Sequence, residues 1–389
     1  MSARIVLPRL MHVGKGASLQ AADVMASIGA SRPLIVTDKM MVQLGYVAKV
    51  QEALIAQGIE ASVFSDTIPE PTVSSIEAGV KMVREGGFDS IIAIGGGSPI
   101  DSAKAISIVG KFGGQVRDYK FPRDVSEAGL PIIAIPTTAG TGSEVTRFTV
   151  ITDDLHDEKM LCSGLGFMPI AALVDYELTM SLPPRVTADC GLDALTHAIE
   201  AYVSQKANQF SDTQALIAME KIGKSIRQAY HNPKDEGARS DMMFGATLAG
   251  VAFSNASVAL VHGMSRPIGA FFHVPHGLSN AMLLPAITEF SIPSAEKRYA
   301  ECARAIGVAS LSDTNAIACK KLVSELRALN TELSVPTPSQ YGIDKERFFE
   351  LLSTMAQQAL DSGSPGNNPR VPSLEETIEL YKTVWNEGE

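Results

Sequence analysis

Up to about residue 180 the chain alternates short apolar, β-branched runs with amphipathic stretches. PLIVTD (33–38), ASVFSD (61–66), SIIAIGGGS (90–98), PIIAIPTT (131–138) and AALVDYEL (171–178) read as strands. Between the first four lie helical patterns such as VAKVQEALIAQG (47–58) and SSIEAGVKMVREGG (74–87). Alternation of this kind predicts a parallel sheet with helices on its faces.

From about residue 185 the strand pattern stops. ADCGLDALTHAIEAYVS, DTQALIAMEKIGKSIRQAY, ARSDMMFGATLAGVAF, EKRYAECARAIGV and DTNAIACKKLVSELRALNTEL carry helical periodicity, several opened by an Asp or Ser cap. The joint falls in SLPPRVT (181–187), where two prolines interrupt regular structure. The expected organisation is an α/β dinucleotide-binding domain over 1–184 and an all-helical domain over 185–389. DSGSPGNNPRVPS (361–373) reads as one long loop.

Composition narrows the function. A chain of 389 residues, 45% hydrophobic and 20% charged, suits two packed domains. Its net charge of −10 argues against a nucleic-acid partner. Four scattered cysteines without a CxxC pair argue against a thiolate zinc site and fit a reducing compartment. No secretory pattern opens the sequence and no run reaches the roughly twenty apolar residues of a membrane span. A cytoplasmic protein with no membrane partner is the expectation.

Two loops follow successive strands. In AIGGGSPIDSAKAI (93–106) a strand runs into Gly95, Gly96 and Gly97, and a helix opens at Ser98. Glycines let backbone N–H groups and the helix dipole face a phosphate, although a tight turn explains them equally. The sequence is neither GxGxxG nor a Walker A motif. PTTAGTGSEVT (136–146) again follows a strand and offers small hydroxyl donors. Both loops therefore point at the carboxyl ends of parallel strands, where open α/β sheets bind ligands. Asp38, ending the first strand, could accept from ribose hydroxyls and repel a 2′-phosphate, or simply cap a helix.

The helical half carries metal chemistry. Asp193 and His197 are four apart in GLDALTHAIEAY and share a helix face, which serves a surface hydrogen bond or a cation. Their neighbours are apolar, so a charged Asp193 demands a partner. His262 and His276 lie in VHGMSRPIGAFFHVPHG (261–277) and would be about 21 Å apart on an unbroken helix. Pro267, Gly269 and Pro275 are expected to break that helix and bring both imidazoles back. One oxygen and three nitrogens would then suit Fe(II) or Zn(II).

With these motifs assembled, the chain resembles the iron-containing (group III) alcohol dehydrogenase family over essentially its whole length. GGGSPIDSAK, TTAGTGSEVT, GLDALTHAIEAY and HGMSRPIGAFFHVPHGLSNAMLLP carry the likeness, in order and at fitting separations. The flavour is that of its lactaldehyde reductase and 1,3-propanediol dehydrogenase members. The resemblance implies a dehydroquinate synthase-like architecture, NAD(H), a divalent iron and a homodimer. It makes Asp193, His197, His262 and His276 the metal ligands, and Gly95, Gly96, Gly97 and Ser98 the pyrophosphate loop, with Asp101 beside it. Thr137, Thr138, Thr141 and Ser143 line the rest of the cofactor site, Lys159 meets its ribose, Leu182 its adenine, and Asp38 selects NAD. The implied reaction is hydride transfer between nicotinamide and a metal-bound short primary alcohol, diol or aldehyde. A metal- and NAD-dependent lyase of dehydroquinate synthase type is the alternative, and a non-catalytic nucleotide sensor a third.

One position departs from the pattern. Many relatives read HGMAH where this chain reads HGMSR, so Arg266 stands where a histidine is proposed as proton relay. An arginine cannot shuttle protons. It can hold an anionic aldehyde through a bidentate contact, or form a plain ion pair. His273 is a pocket or core residue or takes over the relay, and Phe148, Phe253 and Phe272 are either pocket walls or packing.

Overall fold

The computed structural model describes residues 2–156 and 158–386. The chain divides into two compact units, one spanning Val6–Ser181 and one running from Leu182 with the first residues up to Ile5.

In the first unit the elements follow as β1 (Leu10–Val13), α1 (Ala21–Ile28), β2 (Pro33–Val36), α2 (Lys39–Gln43), α3 (Tyr46–Ile55), β3 (Ser62–Phe64), α4 (Val73–Gly86), β4 (Ser90–Gly95), α5 (Gly97–Phe112), β5 (Ile132–Pro136), β6 (Phe148–Asp153), β7 (Glu158–Ser163) and β8 (Ala171–Val174). Six strands form a parallel sheet in the order β1-β8-β5-β4-β2-β3. The inner strands are buried along their whole length, as near-continuous apolar runs demand when helices cover both faces. Ile92, Ile94, Ile133 and Ile135 pack with Met25, Val50 and Leu54 of α1 and α3. Their neighbours Ile91, Ala93, Ile132 and Ala134 face the other way, onto Ile76, Val80, Ile100 and Ile106 of α4 and α5. This period of two sorts each strand between two cores.

Strand order reverses between β2 and β4, since the chain leaves β2 towards β3 and leaves β4 towards β5. Such a switch point is where an open sheet offers a crevice, and the loops bearing Asp38 and Gly95–Gly97 flank it.

The second unit is built from α6 (Pro184–Val203), α7 (Gln209–His231), α8 (Glu236–Ala256), α9 (Leu260–Phe272), α10 (His276–Ile306), α11 (Asn315–Glu332), α12 (Pro338–Tyr341), α13 (Lys345–Asp361) and α14 (Leu374–Asn386). Asn208, Asp235, Thr314 and Asp344 cap four of these helices by accepting from a backbone N–H three residues on. No single helix among the described residues is long and apolar enough to cross a membrane.

Two expectations need correction. Pro267 and Gly269 do not break the helix: α9 runs through both and ends at Phe272. The break comes after it, where His273 takes φ 53° as C-cap and Pro275 precedes α10. Next, the strand placed over 171–178 stops at Val174, and Tyr176–Thr179 forms a 3-10 turn capped by Asp175. The antiparallel hairpin of β6 and β7 was not expected at all. Its first strand carries the alternating FTVITD pattern of a half-buried strand.

Candidate functional site

Three helices bring the four predicted ligands together. Asp193 and His197 lie one turn apart on α6, His262 on the first turn of α9, and His276 opens α10. One donor atom from each lies within 4.8 Å of all the others. The convergence has local causes. Helices α8 and α9 meet at 104°, and Asn367 pins that bend by donating to Ser257 Oγ at 3.0 Å and to the Val258 carbonyl at 3.1 Å. A Cβ on Gly277 would lie 2.4 Å from the Asp189 carbonyl oxygen, so only glycine lets the start of α10 press against α6.

Asp193, His197 and His262 are buried, whereas the His276 side chain is 37% exposed and forms the open side of the cluster. Asp193 Oδ1 stands 3.6 Å from His262 Nε2 and 3.7 Å from His276 Nε2, and Oδ2 stands 3.9 Å from His197 Nδ1. The His197 ring is stacked between Phe253 at 4.2 Å and His262 at 4.4 Å. Burial works against a charged Asp193, but the charges of His197 and His276 and the contact with His262 hold its carboxyl well below the usual range. Burial likewise works against a charged His262, yet Glu200 and Asp193 push its pKa up to about 9. The two carboxylates thus give the cluster a field that favours a cation.

The residues fit a divalent metal. Asn280 donates its amide Nδ2 to Asp193 Oδ1 at 2.7 Å, and the same nitrogen lies 3.1 Å from His262 Nε2 and 3.3 Å from His276 Nε2. The Asn280 amide nitrogen thus lies at the point on which three of the four side chains converge. An oxygen and three imidazole nitrogens are the donor set of a first-row divalent ion.

Sequence reasoning missed Glu200, Asn280 and Gly277. Glu200 lies seven residues after Asp193 and Asn280 four after His276, so helical spacing already put each on a ligand's face. His273 is exposed and outside the cluster, and its carbonyl accepts from Tyr341 Oη at 3.4 Å. Phe272 packs against Phe348 at 5.8 Å, which makes it part of the helical core. Arg266 is half-buried on α9, and the plain ion pair expected of it is not found among the described residues.

In the first unit the two loops meet. A Cβ on Gly96 would lie 3.2 Å from Thr138 Cγ2, and one on Gly97 would lie 2.9 Å from Thr141 Cγ2. Gly95 has φ 149°, and a Cβ there would strike Pro99 at 2.5 Å. Side chains are thus excluded where α5 begins, and its first N–H groups stay open to an anion. The cradle fits a pyrophosphate. Asp38 caps α2 by accepting from Met41 N at 2.9 Å. Asp101 is turned inward, accepting from Ser143 Oγ at 2.6 Å and Val150 N at 2.9 Å. Lys159 pairs with Glu70, whose backbone N–H donates to Ser98 Oγ at 3.3 Å. The Thr137 backbone N–H donates to the Gly95 carbonyl at 3.0 Å, and Leu182 is half-buried just after the first unit. Phe148 opens β6, and its carbonyl accepts from Lys104.

Comparison with known proteins gives a consistent picture. Residues 8–176 match the family model described as iron-containing alcohol dehydrogenase, and residues 187–385 match the C-terminal model of the Fe-containing alcohol dehydrogenase family. Lactaldehyde reductase of Escherichia coli is 37% identical over 389 residues, covering 99% of this chain and 100% of that protein. The crystal structure of a 1,3-propanediol oxidoreductase superposes with a TM-score of 0.95 at 30% identity, over 99% of this chain and 100% of that one. A sulfoacetaldehyde reductase from Bifidobacterium kashiwanohense, solved with NAD+, superposes with a TM-score of 0.89 at 27% identity, over 99% of each chain.

Proposed function

Since this chain belongs to the iron-containing alcohol dehydrogenase family, NAD-dependent oxidoreductases acting on CH–OH donors, we propose that it interconverts a short primary alcohol or diol with its aldehyde. The convergence of Asp193, His197, His262 and His276 within 4.8 Å carries this reading. These four residues hold one divalent iron, with zinc the alternative. Gly95, Gly96, Gly97 and Ser98 hold the pyrophosphate of NAD(H), Thr137, Thr138, Thr141 and Ser143 complete that site, and Asp38, Lys159 and Leu182 meet its adenosine half. Asp101 steadies Ser143 from behind the loop.

Bound in these places, the metal supplies Lewis acidity towards the reacting oxygen and the nicotinamide supplies or receives hydride. The chain's own residues supply order. Glu200 fixes which His262 nitrogen faces the centre, Asn280 steadies Asp193, and Phe253 holds the His197 ring in plane. Arg266 stays charged and takes no proton from the alcohol. A lyase acting on a polyanion would need several strong cations, but residues 191–202 and 261–277 offer Arg266 alone.

The test is NADH loss with C2–C4 aldehydes, measured on iron-loaded and chelated protein. Loss that disappears on chelation and returns with iron supports the proposal; loss untouched by metal removal contradicts it. The reading includes a cytoplasmic homodimer, which light scattering of the purified protein checks for its oligomeric part.

A further inference from the structure

Arg266 lies four residues after His262 in α9, so the two side chains leave the same face of the helix. It is half-buried. Among the described residues no carboxylate forms an ion pair with its guanidinium, and no acceptor takes a hydrogen bond from it. The negative charge it senses is that of Glu200. Both Glu200 oxygens are already committed: Oε1 accepts from Val261 N at 2.5 Å, and Oε2 from Ala259 N at 2.8 Å and His262 Nδ1 at 2.6 Å. A guanidinium has five N–H donors and keeps its charge at any working pH. None of its nitrogens is among the described polar atoms sealed off without a partner, so the half-buried guanidinium stays within reach of a ligand from solution. The arginine therefore calls for an anion that the chain does not provide.

Resting on the reading of the neighbouring cluster as an aldehyde-reducing centre, we infer that Arg266 is an anion subsite, so the substrate is an aldehyde bearing a carboxylate, sulfonate or phosphonate. The planar fork of the guanidinium suits two oxygens of one such group. Side chains four apart on a helix stand about 5–6 Å from each other at Cβ, a distance matched by a C2–C4 chain between carbonyl and anion. The reaction balances as aldehyde, NADH and a proton giving alcohol and NAD+, with the anionic end unchanged.

The test compares iron-loaded wild type, Arg266→Gln and Arg266→Lys on butanal, succinic semialdehyde, sulfoacetaldehyde and phosphonoacetaldehyde. Wild type is expected to favour at least one anionic aldehyde over butanal. Arg266→Gln should lower that preference by roughly 10- to 100-fold, mainly through KM, as for loss of hydrogen bonds to a charged group. Arg266→Lys should restore part of it. Succinic semialdehyde against the other two anions separates planar from tetrahedral headgroups. A second arm needs no turnover: calorimetry of the metal-free protein with butyrate and propane-1-sulfonate should show binding that Arg266→Gln weakens. Equal use of butanal and the anions, with Arg266→Gln changing all alike and anion binding unaltered, overturns the inference while leaving the reaction standing. Arg266-dependent anion binding without NADH loss on any aldehyde upholds the subsite and overturns the reaction instead.

Discussion

Glu200 Oε2 accepts a 2.6 Å hydrogen bond from Nδ1 of His262, inside the helical unit where both residues are 3% exposed. A carboxylate acceptor at Nδ1 makes that nitrogen the donor and leaves Nε2 facing Asp193. In the proposed metal site Glu200 is therefore a positioning residue. Glu200→Gln should weaken metal affinity by roughly 10- to 100-fold, as loss of such a partner does. Competitive chelation measures it. Replacement also disturbs the backbone N–H groups of Ala259 and Val261, so the metal-free protein should lose about 1–3 kcal/mol of stability. Unchanged chelation with lowered stability would make Glu200 a structural residue alone.

Lys104 is fully buried, and its Nζ donates to Ser143 Oγ at 3.1 Å, to the Thr146 carbonyl at 3.0 Å and hydroxyl at 3.1 Å, and to the Phe148 carbonyl at 2.7 Å. It ties the hydroxyl-rich loop to α5 beside half-buried Asp101. Lys104→Met strips these acceptors and should cost on the order of 3–5 kcal/mol, with a raised KM for NADH. Burial pulls the Lys104 pKa from 10.5 down to about 8, against the pull of Asp101 and Glu144. Between those values the unfolded chain binds the extra proton, so stability at this site rises with pH, while below about 8 both states are charged. Urea titrations at about pH 7.5 and about pH 9.5 should show the gap between wild type and variant widening with pH.

Asp38 combines a helix cap with a charge at the sheet's switch point. Asp38→Ser keeps an N-cap oxygen, so stability should move by no more than about 0.5 kcal/mol. Removing the charge should raise kcat/KM for NADPH relative to NADH by about tenfold or more. An unaltered cofactor ratio would leave Asp38 as a cap only.

No disulfide joins the four cysteines, and Cys162, Cys302 and Cys319 are buried. Burial pushes the Cys162 thiol up to about 12 and Cys319 up to about 11, and raises Cys302 further. Thiolate is the reactive form, so these three should resist a disulfide reagent at pH 8 in the folded protein. Only half-buried Cys190 is in reach. A thiol titration should count at most one per chain natively and all four in denaturant; fast native reaction of more than one contradicts the packing.

Much of this was legible in the sequence because period and position carried it. The β-branched runs around Ile92 and Ile133 gave the parallel sheet, and the glycines at 95–97 gave the loop at the switch point. Asp193 and His197 stood out as polar residues among apolar neighbours, and the resemblance to the iron-containing alcohol dehydrogenase family joined His262 and His276 to them. What was hidden depends on tertiary geometry. Nothing local shows that α9 tolerates Pro267 and turns only at His273, because Pro267 is the eighth of its thirteen residues, an interior position where proline ordinarily breaks a helix. Gly277 looks like any other glycine until α6 is placed against it. Lys104 reads as a surface charge until the loop after β5 is seen to wrap it.

The most direct test titrates iron into the metal-free protein anaerobically and follows bound metal and aldehyde-dependent NADH oxidation in the same samples. The four converging ligands predict a rate that rises with occupancy and levels off at about one ion per chain, with Asp193→Ala abolishing both. A rate independent of bound iron, or full iron binding by Asp193→Ala, would contradict the account.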